Sequence, residues 1–128
     1  MSDDDVLQKL VDAAHQRHGE DVVALDMTSF PLTVDVFLIV TSSNRVQSRA
    51  IADRIAEAAR EQDFPLHHKE GYREGSWILM DYIDFVVHIF LPEKRRYYGL
   101  EMLWSDAPEK RFPDPGAGEP AEEADDGS

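Results

Sequence analysis

The stretch from Glu70 to Phe90, EGYREGSWILMDYIDFVVHIF, limits what this chain can fold into more than any other. It holds two apolar runs, Ser76–Asp81 and Phe85–Phe90. The link between them, Asp81-Tyr82-Ile83-Asp84, is too short for anything but a hairpin. Strand side chains alternate between faces. Ile78 and Met80 therefore share one face, and Trp77 and Leu79 the other. On the second run, Phe85, Val87 and Ile89 oppose Val86, His88 and Phe90. Both faces of the hairpin are largely apolar, so the expectation is a sheet interior covered by helices on both sides.

The flanking segments supply those helices. Acidic residues crowd the start of the chain, where Ser2 or Asp3 can cap a helix over Asp4–His18. Val6, Leu7, Leu10, Val11 and Ala14 give it one apolar stripe, and Gly19 suits its C′ position. Val22–Met27 reads as a strand. The turn-rich segment Thr28-Ser29-Phe30-Pro31-Leu32-Thr33 follows, with Pro31 unable to donate to a ladder. Val34–Thr41 is the second strand, apolar throughout its middle. Ser42, Ser43 or Asn44 caps a helix over Arg45–Gln62, which packs Ile51, Ala52, Ile55, Ala58 and Ala59. Leu66–Glu70 is a weak third strand before the hairpin. Pro92 opens a last helix to about Trp104, with Tyr97, Leu100, Leu103 and Trp104 as packing residues. The order is αββαβββα. It predicts an α/β (α+β mixed) fold: a mixed sheet of about five strands flanked by helices, with one parallel crossover.

From Ser105 onward the chain turns to Pro, Gly, Ala and acidic residues. The expectation is a folded domain over 1–104 and a disordered acidic tail over 105–128. The net charge is −13. The tail carries −6 of it, which leaves −7 on the rest. An acidic body is repelled by phosphate backbones and attracted to basic proteins. Sequence-specific nucleic-acid binding is therefore not expected. Lys94-Arg95-Arg96 could make a small RNA footprint, but a solvated helix face explains it as well. The chain has no cysteine, which excludes disulfides and thiolate chemistry. There is no apolar run long enough for a membrane helix, and the start, MSDDD, is acidic where a targeting peptide would be basic. Cytoplasm is the expected compartment.

The run GSWILMDYIDFVVHIFLPEKRRYYGLEMLW resembles the ribosomal silencing factor family, also called Iojap. The family pattern is roughly G-x-W-x-L-x-D-Y-x-D-x-V-V-H-x-F, then a Pro-led helix closing on L-x-x-L-W. Here it falls on Gly75, Trp77, Leu79, Asp81, Tyr82, Asp84, Val86, Val87, His88 and Phe90, then Leu100, Leu103 and Trp104. Upstream, LDMTSFPLTVDVFLIVTSSNRVQSRAIADRI carries the likeness further, so it covers about Asp3 to Trp104. One departure stands out: Ile83 occupies a turn position where the family commonly has Gly. A β-branched residue resists positive φ.

The resemblance implies a nucleotidyltransferase-like α/β fold without enzymatic activity or a cofactor. It implies binding to the large ribosomal subunit through ribosomal protein L14, where the small subunit would join, and so a steric block on translation. A homodimer of the free protein is compatible with it. The partner-binding residues implied are Trp77, Met80, Asp81, Tyr82 and Asp84. Read from the residues alone, Trp77 suits a strand core as well as an interface anchor. Tyr82, on the turn, suits an interface better than a core, and the two aspartates suit a turn in any case.

Catalytic alternatives fit less well. A nucleotidyltransferase needs a Gly-Ser turn at a helix start and a D-x-D on a neighbouring strand to hold two metals. Ser42-Ser43 lacks the glycine, and Asp81 and Asp84 are three apart across a turn. Asp3-Asp4-Asp5 lies at the N-terminal cap. His67 and His68 point to opposite faces, and His88 suits a hydrogen-bonded core histidine, so no metal site is expected. A degenerate nucleotide-binding enzyme is the alternative class.

Overall fold

The computed structural model describes residues 3–115. Helix α1 (Asp3–Gln16) leads into strands β1 (Glu20–Asp26) and β2 (Val36–Thr41) and helix α2 (Arg45–Glu61). Strands β3 (His68–Glu70), β4 (Trp77–Asp81) and β5 (Phe85–Phe90) follow. Helices α3 (Pro92–Tyr98) and α4 (Leu100–Leu103) and strand β6 (Glu109–Phe112) complete the order. The strands form one mixed sheet in the order β3-β4-β5-β2-β1-β6. Only β2 and β5 pair in parallel among these strands. The mixed α/β architecture is the expected one, with six strands where about five were expected.

Alternation sorts the core into two layers. Leu38, Val40, Ile78, Met80, Val87 and Ile89 face Val6 and Leu10 of α1 and Ile51 and Ile55 of α2. The opposite face carries Val23, Leu25, Ile39 and Phe90. There Phe30, Leu100 and Trp104 pack over it. The expectation of a hairpin covered on both faces is therefore corrected. Both long helices lie on one side. On the other, α3 and α4 are short, and Trp77, Leu79 and Val86 remain half-buried.

The largest departure is β6. It adds antiparallel to the outer edge of β1, with Val22 opposite Phe112 and Leu25 opposite Glu109. Ala107 and Phe112 enter the two cores. Disorder from Ser105 is thus corrected for residues 105–115. Composition misled because an edge strand draws much of its order from backbone hydrogen bonds, which carry no side-chain signature. Residues 116–128, and the expected cap at Ser2, lie outside the described residues.

Glycine positions also differ from expectation. His18, not Gly19, takes the left-handed φ (65°) after α1. Gly19 is needed for space, since a Cβ there would stand 2.7 Å from a Val40 methyl carbon. Gly99 (φ 54°) splits the expected Pro92–Trp104 helix into α3 and α4. That break changes which residues face inward. Leu100 and Trp104 pack, but Tyr97 and Leu103, expected to pack, are exposed.

Candidate partner-binding surface

Trp77 opens β4, immediately after the Gly75–Ser76 turn. Its ring stacks on Phe90 at 5.0 Å between centroids and leans on Tyr98 at 4.5 Å. Its indole N–H donates to His88 Nδ1 at 3.2 Å. Strand alternation places Leu79 and Asp81 on the same face, with Val86 beside them on β5. Only the short α3 reaches this half of the sheet, through Tyr98, and neither long helix lies over it. It is a shallow apolar face bounded by the exposed pair His68–Glu70, 2.7 Å apart on β3.

The expected binding residues separate. Met80 is 0% exposed and faces the α1–α2 layer. Tyr82 is 4% exposed, its ring stacked on Phe85 at 4.9 Å. The expectation that Tyr82 stands out on the turn is corrected: its backbone N–H donates to Phe85 O, and the ring folds inward. Burial raises its phenol pKa. Asp81 Oδ1 accepts the Ile83 N–H at 2.7 Å, which ties up one carboxylate oxygen in the turn. Asp84 is exposed but lines a crevice on the α1 side with Leu7, Leu10 and Asp35. Trp77 and Asp81 thus share a surface, and Asp84 stands apart from it.

Sequence reasoning missed the other half of this surface. Tyr97 (80% exposed), Tyr98, Met102 (82%) and Leu103 stand out from α3 and α4. Tyr98 leans on Trp77 and Tyr97 meets Tyr98 edge-on at 5.0 Å, so the apolar surface continues from Trp77 onto α3. The signal was present in the YYGLEML run, but Gly99 shifts the helical phase. The platform is held from below by Arg95, whose side chain is nearly buried. It forks onto Glu101 at 3.1 and 2.9 Å. Its Nη1 donates to Asp21 O at 2.6 Å and Thr41 Oγ1 at 2.7 Å. The Arg95 hydrogen bonds hold the Glu101 carboxyl below its usual range. No ion-pair partner is present for Lys94 or Arg96 among the described residues.

The residues considered for catalysis have structural employment. Ser42 is buried, its hydroxyl bonded to Ser48 Oγ. Asn44 caps α2 by accepting the Gln47 N–H. Ser43 bonds the Gln47 side chain through both its N–H and its hydroxyl. His88 is buried on β5 and His68 is exposed on β3. Among the described residues no three His, Cys, Asp or Glu side chains converge as metal ligands would.

A mixed sheet, two long helices banked on one face, and an aromatic surface on the other define the class of α/β domain. The family comparison narrows this. A sequence model described as "Ribosomal silencing factor during starvation" matches residues 1–128. The ribosomal silencing factor RsfS of Halalkalibacterium halodurans is 42% identical over 108 residues, 84% of this chain and 92% of that protein. RsfS of Bacillus subtilis is 39% identical over the same shares. A crystal structure of a Chromobacterium violaceum protein superposes with a TM-score of 0.78 at 28% identity, covering 82% of this chain and 88% of that one. The chain belongs to the ribosomal silencing factor family.

Proposed function

We propose that this protein binds the large ribosomal subunit through ribosomal protein L14 and blocks the small subunit from joining. The block is steric, takes place in the cytoplasm and needs no covalent chemistry. The observation that supports it best is the stretch of β4 and β5 that is only partly covered. Trp77, Leu79 and Val86 are left half-buried there. The exposed Tyr97 and Tyr98 continue that face onto α3, and Met102 and Leu103 are exposed on α4. Aromatic side chains on a surface of this kind are the usual anchors of a protein interface. The acidic charge of the chain favours a basic partner. Asp81 stands on the same face at the other end of β4, beyond Leu79, placed to meet a cation at the rim. Met80 and Tyr82 act from behind, as the packing that shapes the hairpin. Asp84 acts through the turn, since its carbonyl accepts the N–H groups of Asp35 and Val36.

The test is co-sedimentation with isolated large subunits. Truncating an interface anchor typically costs about 2 kcal/mol or more of binding, and 1.4 kcal/mol is a factor of ten. Trp77→Ala is expected to weaken binding at least about tenfold. Normal binding by Trp77→Ala, with the domain folded, would place the interface elsewhere.

A further inference from the structure

We propose that His88 is a positioning residue for the partner surface: its Nδ1 accepts the Trp77 indole N–H and fixes the ring in the orientation a partner meets. The inference rests on the reading that Trp77 anchors that partner. His88 stands on β5 between Val86 and Phe90, opposite Leu79 of β4 and Ile39 of β2. An aliphatic side chain suits such a place better, because a buried polar group must find its partners or destabilise the fold. Only one side of this imidazole is partnered. Nδ1 accepts from Trp77 at 3.2 Å, whereas Nε2 is buried with no partner among the described residues. Since Nδ1 accepts, the single proton of the neutral ring sits on Nε2. Burial lowers the pKa to about 4, so the ring is neutral at pH 7 and keeps its acceptor. Phe37 meets the imidazole edge-on at 5.0 Å and limits its rotation.

What the histidine contributes is direction. The stacking of Trp77 on Phe90 and Tyr98 tolerates sliding and tilting of the indole. The hydrogen bond to Nδ1 selects one of those poses, because its strength depends on angle. A core histidine with one orphaned nitrogen thus stands where leucine would pack, and the group it serves is the partly exposed Trp77.

Two substitutions separate positioning from packing. His88→Leu fills the site and removes the acceptor. His88→Asn is smaller but can set Oδ1 near the Nδ1 position. Losing one neutral hydrogen bond corresponds to about a fivefold change in affinity. His88→Leu is expected to keep or raise the thermal midpoint yet bind large subunits about fivefold more weakly. His88→Asn is expected to lower the midpoint yet retain most of the binding. Wild-type affinity in His88→Leu, or affinity that follows the midpoint in both variants, overturns the proposal. Proton–nitrogen NMR of the free protein gives a readout independent of the ribosome. The Trp77 indole signal is expected to move in His88→Leu while that of Trp104 stays. An unmoved Trp77 signal also overturns the proposal. If the wild type fails to sediment with large subunits, the functional reading falls, and the NMR spectra still decide whether His88 holds the indole.

Discussion

At the scale of single residues, His88 sets a pH signature. Its pKa falls from 6.5 to about 4 because burial penalises the charged ring. Between those values the unfolded chain takes up a proton that the folded chain refuses. The contribution is therefore intact above pH 6.5 and is lost as pH falls toward 4. From the two pKa values the loss is about 2 kcal/mol by pH 5. Urea unfolding at pH 7 and pH 5 should show that drop in the wild type, and His88→Leu should remove most of it. Asp26, Glu74 and Glu101 have lowered carboxyl pKa values through hydrogen bonds from Thr28, Ser76 and Arg95. Their stabilisation is lost as pH falls from the ordinary values, 3.8 for Asp and 4.5 for Glu, so the loss begins near where the His88 window ends.

At the scale of elements, the hairpin turn and β6 carry opposite lessons. Ile83 holds φ at 73° in a turn closed by Tyr82 N–H to Phe85 O at 2.9 Å. The fold thus imposes a left-handed conformation on a β-branched residue instead of reshaping the turn. A left-handed non-glycine residue costs roughly 1–2 kcal/mol, and glycine's extra entropy returns part of that. Ile83→Gly should therefore raise stability, by up to about 1 kcal/mol, in chemical denaturation. A fall would mean that the exposed Ile83 side chain makes contacts worth more than the strain. For β6, Phe112 is 8% exposed and packs with the α1–α2 layer. Phe112→Ala should cost roughly 3 kcal/mol, the lower end for a buried phenylalanine. An unchanged thermal midpoint would show that β6 adds no stability.

At the scale of the whole molecule, charge governs encounter. The chain carries −13, and its proposed partner is a basic protein on a ribosome. Opposite charges speed association, and salt screens them over about 8 Å at physiological ionic strength. Stopped-flow association with large subunits should slow as salt rises. On-rates that stay flat between low and physiological ionic strength would remove charge steering from the account. Trp77, Tyr98 and the α3–α4 patch would then carry recognition by shape and apolar burial alone.

The sequence by itself determined the strand pairs of the hairpin, α1, α2, the mixed sheet and the family likeness. These rest on local periodicity, since alternation assigns Ile78 and Met80 to one face and Trp77 and Leu79 to the other whatever the rest of the chain does. Only the tertiary structure decided which of those faces stays open. Alternation defines two sets of side chains but does not say where the helices land. That depends on α1 and α2 both packing on one side, with α3 and α4 cut short by Gly99. The same non-local choice buries Tyr82 in the α1–α2 layer and gives β1 the partner β6, while the break at Gly99 turns Tyr97 and Leu103 outward. Of the proposed surface, the shared face of Trp77 and Asp81 was legible, because they lie on one regular strand. His88 was legible as a hydrogen-bonded core histidine, but its bond to Trp77 was not, and the exposure of Met102 was hidden by the break at Gly99.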